Sequence, residues 1–148
     1  MILSIDTSTF KTGIGLYWQN GRQLSKEYYW ESQKNQSQEL LINIDKFLKE
    51  NKVNLQNLKA IGVMLGPGSY TGLRVGLTVA NTLGWALGIP VLGLFKEDNR
   101  LISKQGQGRA PHEVSTLEIA QRAFAKYKTL KNPKFSQIAL PCYAQNCK

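Results

Sequence analysis

From Gly66 to Arg74 the sequence reads GPGSYTGLR. Where such a run joins a strand to a helix, free backbone N–H groups and the positive end of the helix dipole attract anions. Gly66 and Gly68 would let backbone approach a phosphate, and Ser69 and Thr71 would donate hydroxyl hydrogen bonds. Arg74 falls in the first helical turn, where its charge opposes the dipole, a placement that often serves an anion. The run is not a Walker A loop, because no Gly-Lys-Ser/Thr follows at the required spacing. The same residues also describe a tight turn with Thr71 as the helix N-cap and no ligand. Both readings stand at this level. Asp6 ends the first apolar run and leads into Thr7-Ser8-Thr9. It is a turn residue or a weak member of the same nucleotide site, in a turn that lacks the glycine close phosphate approach normally needs.

Other chemistry has few residues to draw on. Cys142 and Cys147 stand near the C-terminal end and the single histidine is His112, which is too sparse for a zinc site. No paired-carboxylate motif and no cysteine–histidine nucleophile pair is present. No catalytic and no metal-binding residue is therefore assigned. The balance of 19 Lys+Arg against 10 Asp+Glu gives a net charge of +9, which favours a polyanionic partner such as RNA. With 148 residues, 42% hydrophobic and 20% charged, the chain has the composition of a soluble globular protein. "MILSIDTST" has no basic leader or cleavage site, so a cytoplasmic location is expected.

The elements that must position these residues read as follows. Ile2–Ile5 is a buried strand, Thr12–Trp18 a second, and Asn20-Gly21 a hairpin turn into a third at about Gln23–Trp30. A helix follows, capped by Ser37, with Leu40, Leu41, Ile44, Phe47 and Leu48 on one stripe. Then come a strand at Ala60–Leu65, a helix from about Gly72 to Leu87 and a strand at Val91–Leu94. The order β-β-β-α-β-α-β implies a mixed sheet with helices packed against it. Residues 1–95 form the first domain. Residues 96–148 form a shorter extension with a loop at Lys96–Pro111, a helix at about 115–128 and a short strand before Pro141. That helix opens on a capping box, Ser115 with Glu118, and carries Leu117, Ala120, Phe124 and Tyr127 on its apolar stripe.

Val75 to Phe95 is 21 residues without a formal charge, long enough to span a membrane. Thr78, Asn81, Thr82 and Pro90 favour an apolar helix followed by a strand instead, so no membrane association is expected. Within that helix Gly72, Gly76, Ala80, Gly84 and Gly88 recur at every fourth residue. Each glycine costs roughly 1 kcal/mol against alanine, which close packing against a neighbour must offset. Val75, Val79 and Leu83 lie beside the row, leaving more apolar surface than one sheet face covers. The first helix of this chain, a partner polypeptide, or both together are expected to cover the excess, with both favoured. The expected contact set is Leu40, Leu41, Ile44, Leu48, Gly72, Val75, Gly76, Val79, Ala80 and Leu83.

"ILSIDTST", "SQELL", "GVMLGPGSYTGLRVGLTVANTLGWALGIPVLGL" and "LPCYAQ" occur in this order, and together they resemble the bacterial TsaB (YeaZ) family. The likeness is continuous from Met1 to Leu94 and patchy beyond. It implies an α/β actin/hexokinase/Hsp70-like (ribonuclease H-like) core with a reduced second lobe, shortened internally at Lys96–Pro111. It also implies a non-catalytic subunit that dimerises with and activates a TsaD-like paralogue in N6-threonylcarbamoyladenosine modification of tRNA position 37. A TsaE-like ATPase would dock on the pair, and tRNA would meet the complex. The two helices would join two from the partner in a bundle, or pair two copies of this chain when the partner is absent. No cofactor of its own is implied; ATP or ADP would lie at a partner interface. The alternative is a small nucleotide-binding phosphotransferase of the same superfamily, using Asp6 and the Gly66–Arg74 loop. Gln36 stands where the family commonly has histidine, so no histidine-dependent role carries over.

Overall fold

The computed structural model describes residues 1–20, 22–32, 35–95, 114–134 and 139. The chain order is β1 (Ile2–Asp6), β2 (Lys11–Asn20), β3 (Arg22–Glu31), α1 (Gln36–Glu50), β4 (Ala60–Gly66), α2 (Tyr70–Leu87), β5 (Val91–Phe95) and α3 (Thr116–Thr129), with a 3-10 turn at Leu55–Asn57. The β-β-β-α-β-α-β core is as expected. Gly21, His112, Cys142, Cys147, the Lys96–Pro111 loop and the strand expected before Pro141 lie outside the described residues.

The sheet order is β3-β2-β1-β4-β5. Consecutive strands β1, β2 and β3 pair antiparallel, as short connections require. Helices α1 and α2 supply the long crossovers that let β4 and β5 run parallel to β1. The sheet's two faces follow the strand alternation. Leu3, Ile5, Ile14, Leu16, Ile61, Val63 and Leu65 form one core with α1 and α2. Ile2, Tyr17, Ala60 and Met64 share the other with Ile119, Ala120 and Ala123 of α3.

The α3 face is built for close approach. A Cβ on Gly62 would lie 2.8 Å from Ala123 Cβ, and one on Gly15 would lie 2.7 Å from Ser4 Oγ and 3.0 Å from Thr116 Oγ1. Ser4 Oγ donates to Thr116 O at 2.6 Å across this contact. The α3 stripe is therefore rotated from the expected one. Thr116, Ile119, Ala120 and Ala123 are buried, while Leu117, Phe124 and Tyr127 are half-buried at its margins. Ser115 caps α3 as expected, its Oγ accepting from Glu118 N at 3.1 Å. The Glu118 carboxylate pairs with Arg122 at 2.8 Å. Lys126 Nζ donates to Gly93 O at 3.1 Å and Arg122 Nη1 to Phe95 O at 3.4 Å. These cations occupy carbonyls of edge strand β5, which would otherwise offer itself to another strand.

The other helix starts differ from the sequence reading. The N-cap of α1 is Asn35, without a side-chain capping bond, and Ser37 lies inside the helix. The N-cap of α2 is Ser69, whose Oγ accepts from Gly72 N at 3.3 Å, and Thr71 lies in the first turn. At its far end Gly88 takes φ 65, with Gly88 N donating to Trp85 O and Ile89 N to Gly84 O. That is a Schellman stop, for which glycine is preferred. It divides Val75–Phe95 into a helix end and a strand, and no helix among the described residues is long and apolar enough to cross a membrane.

Candidate partner-binding site

At the C-terminal ends of β1 and β4 the two turns lie against each other. Ser69 N donates to Ser8 O at 2.7 Å, and Thr7 Oγ1 donates to Gly72 O at 2.6 Å. Asp6 Oδ1 accepts from Ser8 N at 2.8 Å, fixing Asp6 as a turn-forming residue. Gly66 takes φ 129, the Gly66–Pro67 bond is cis, and a Cβ on Gly68 would lie 2.5 Å from Ser8 Cβ. The room that Gly68 leaves is thus taken by Ser8 of the same chain. Thr71 and Arg74 remain exposed, and the Arg74 guanidinium lies 4.1 Å from the centre of the Tyr70 ring. Ser8 Oγ is buried and meets no hydrogen-bond partner among the described residues. Among those residues no cluster of three His, Cys, Asp or Glu side chains could hold a metal ion.

The small-residue row of α2 faces inward. Gly72, Gly76, Ala80 and Gly84 are buried, and side-chain atoms added at Gly72 and Gly76 would run into the Thr7 carbonyl and hydroxyl respectively. The close neighbour that the glycines require is the chain's own β1–β2 turn. On α1, Leu40, Ile44 and Leu48 are at most 2% exposed, in the core beneath the sheet's first face. This corrects the expected contact set: Leu40, Ile44, Leu48, Gly72, Gly76 and Ala80 are already covered within one chain. Gly88, counted in the same row, serves its positive φ, and a Cβ added there would meet nothing within 4 Å.

Four of the expected residues keep outward surface. Leu41 is 49% exposed, and Val75, Val79 and Leu83 are half-buried at the margin of the first core. The structure adds Ile42, 68% exposed, and Trp85, 72% exposed, which the helical stripes did not single out. Farther along α1 the outward face is charged, with pairs Lys49–Asp45 at 2.6 Å and Lys46–Glu50 at 3.9 Å. Asn81 takes up part of the α2 surface. Its Nδ2 donates to Ala139 O and its Oδ1 accepts from Ala139 N, both at 2.9 Å, so the backbone of Ala139 is held against α2.

Three polar residues to which the sequence assigned no positioning role set the helices in place. Gln36 Nε2, at the start of α1, donates to Thr9 O and to Thr12 Oγ1, both at 2.9 Å. Glu39 Oε2 accepts from Trp30 Nε1 at 3.1 Å and from Ser32 Oγ at 2.7 Å, tying α1 to the end of β3. Glu27 Oε1 of β3 accepts from Leu117 N at 2.6 Å, from Thr116 Oγ1 at 2.8 Å and from Tyr29 OH at 2.8 Å. Partial burial opposes ionisation of Glu27, but these donors outweigh it and hold the carboxyl below its ordinary range. A carboxylate at the N-terminus of α3 also complements the helix dipole.

A family model described as TsaD: tRNA N6-adenosine threonylcarbamoyltransferase matches residues 30–98. The tRNA threonylcarbamoyladenosine biosynthesis protein TsaB of Bacillus subtilis (strain 168) is 40% identical over 90 residues, 61% of this chain and 38% of that protein. The protein of the same name from Buchnera aphidicola subsp. Schizaphis graminum is 28% identical over 156 residues, 99% of this chain and 61% of that one. The solved structure of YeaZ from Pseudomonas aeruginosa superposes with a TM-score of 0.58 at 33% identity, covering 64% of this chain and 43% of that one. Over the matched lengths the chain is similar to TsaB and YeaZ proteins. Among the described residues, the mixed five-stranded sheet with three helices is the actin-like, ribonuclease H-like core that the TsaB/YeaZ resemblance implies. The chain spans between 38% and 61% of the length of these relatives.

Proposed function

We propose that the chain takes part in making N6-threonylcarbamoyladenosine in tRNA, as a subunit that binds and activates a TsaD-type transferase through the outward sides of α1 and α2. The observation that carries this reading is the exposure of Leu41 and Ile42 on α1 and of Trp85 on the adjacent crossover helix α2, which also carries half-buried Val75, Val79 and Leu83. Large side chains left in water on neighbouring helices fit an interface whose other half is another polypeptide. The names of the relatives supply the pathway. In this reading the chain works in the cytoplasm, assigns its transferase partner the chemistry and has no cofactor of its own; ATP or ADP belongs to the interface between them. A TsaE-type ATPase docks on the pair, and two copies of the chain use the same face when the transferase is absent.

The test is complementation of a bacterial strain depleted of its own TsaB, read as the modified nucleoside in tRNA digests by mass spectrometry. The wild-type chain restores the nucleoside, while Leu41→Asp with Trp85→Ala does not. Equal restoration by the double variant, or none by the wild type alongside its cognate transferase, removes the reading.

A further inference from the structure

The Ser69–Ser8 hydrogen bond brings together two short segments that end in exposed rings. Phe10, at the tip of the β1–β2 turn, is 73% exposed, and Tyr70, the first residue of α2, is 53% exposed. Phe10 belongs to neither hydrophobic core, so packing does not account for an aromatic residue at this tip. A single exposed ring is ordinary on a protein surface. Here two lie at one end of the sheet, with the Arg74 cation beside one of them. The Arg74 guanidinium stacks on the Tyr70 ring, while Lys11 Nζ turns to the α3 face, 5.1 Å from the centre of the Tyr29 ring. Of the acidic groups nearby, Asp6 turns Oδ1 to the Ser8 N–H and Glu31 lies opposite Lys11 in the β2–β3 register.

We propose that Phe10 and Tyr70, with Arg74, form a stacking site for unpaired bases of RNA at the C-terminal end of the sheet. Aromatic faces accept any base, and adjacent cations take the phosphates, which is how single strands are held without sequence preference. The net charge of +9 complements that occupant and would repel a basic one. This goes beyond the partner-subunit reading and rests on it only for the choice of RNA as the probe.

The experiment is fluorescence anisotropy of a fluorescein-labelled, mixed-sequence single-stranded RNA 12-mer titrated with the isolated chain at fixed salt, with folding of each variant checked by circular dichroism. Phe10→Ala and Phe10→Leu are each expected to weaken binding by roughly five-fold or more, as loss of one stacked base does. Arg74→Ala should reduce the slope of log K against log salt by about one. Trp85→Ala, on the opposite end of α2, should bind RNA as the wild type does, while Phe10→Ala keeps binding the transferase. Failure of wild-type binding overturns the site, as does a Phe10→Leu affinity within about two-fold of wild type, the result expected of phosphate attraction alone.

Discussion

Gly72 and Gly76 show how one atom decides what a helix can be used for. Replacing a helical glycine by alanine gains roughly 1 kcal/mol of propensity. At Gly72 the new Cβ would collide with the Thr7 carbonyl, and overpacking of this kind costs about 1–3 kcal/mol. The backbone oxygen cannot swing aside as a flexible side chain can, so the clash wins. Gly72→Ala is expected to lower the urea midpoint, and Gly76→Leu, which drives a whole side chain at Thr7, to prevent folding altogether. A Gly76→Leu chain that unfolds at wild-type urea would show that the β1–β2 turn is not seated as described. Ser69→Ala, removing the α2 cap, should cost about 1 kcal/mol in the same assay. The GPGSYTG run was legible as a strand-to-helix turn whose glycines permit a close neighbour. That the neighbour is Thr7-Ser8 was not, because spacing reports the room and not what fills it.

Among the elements, α3 depends most on contacts remote in sequence. Its first turn is held by Glu27 of β3, whose carboxyl the Leu117, Tyr29 and Thr116 donors keep low despite the opposing effect of burial. The unfolded chain's glutamate titrates at about 4.3, above the folded value. The unfolded state therefore binds more protons in that window, and stability rises with pH there. The Glu27 contribution is complete above the unfolded pKa and lost as pH falls through the folded one. Wild type should melt higher than Glu27→Gln at pH 7, and the gap should close in acid below the folded pKa; a gap independent of pH would argue against the carboxylate's role. In the adjoining layer, Gly62→Ala should loosen α3 through the contact with Ala123, seen as faster amide exchange in α3 than in α2. The core elements through β5 were readable because periodicity and turn residues are local signals. The α3 face was misread by about a third of a turn, since Leu117, Phe124 and Tyr127 look more apolar than Thr116 and Ala123. Small residues are what the glycines of β2 and β4 admit, and that complementarity exists only once the strands are paired.

At the scale of the whole molecule, a five-stranded sheet buries α1 and α2 on one face and α3 on the other. The aliphatic and indole surface that α1 and α2 leave in water is narrower than the sequence implied: Leu41, Ile42 and Trp85 with the margins of Val75, Val79 and Leu83. The residues expected to lead the interface, Leu40, Ile44 and Leu48, instead hold the monomer together, and Asn81 binds residue 139 over part of α2. Leu41 was legible as part of the stripe. Ile42 and Trp85 were not, because single exposed apolar residues carry no periodic signal until the helices are set side by side. The central claim is that this outward set belongs to an interface with a TsaD-type protein. The most direct measurement is size-exclusion chromatography with light scattering of the chain mixed with its cognate transferase. The account predicts one species whose mass includes both chains, resolved into separate peaks by Leu41→Asp with Ile42→Asp while each variant stays folded. Separate peaks for the wild-type mixture, or a complex that survives both substitutions, would contradict it.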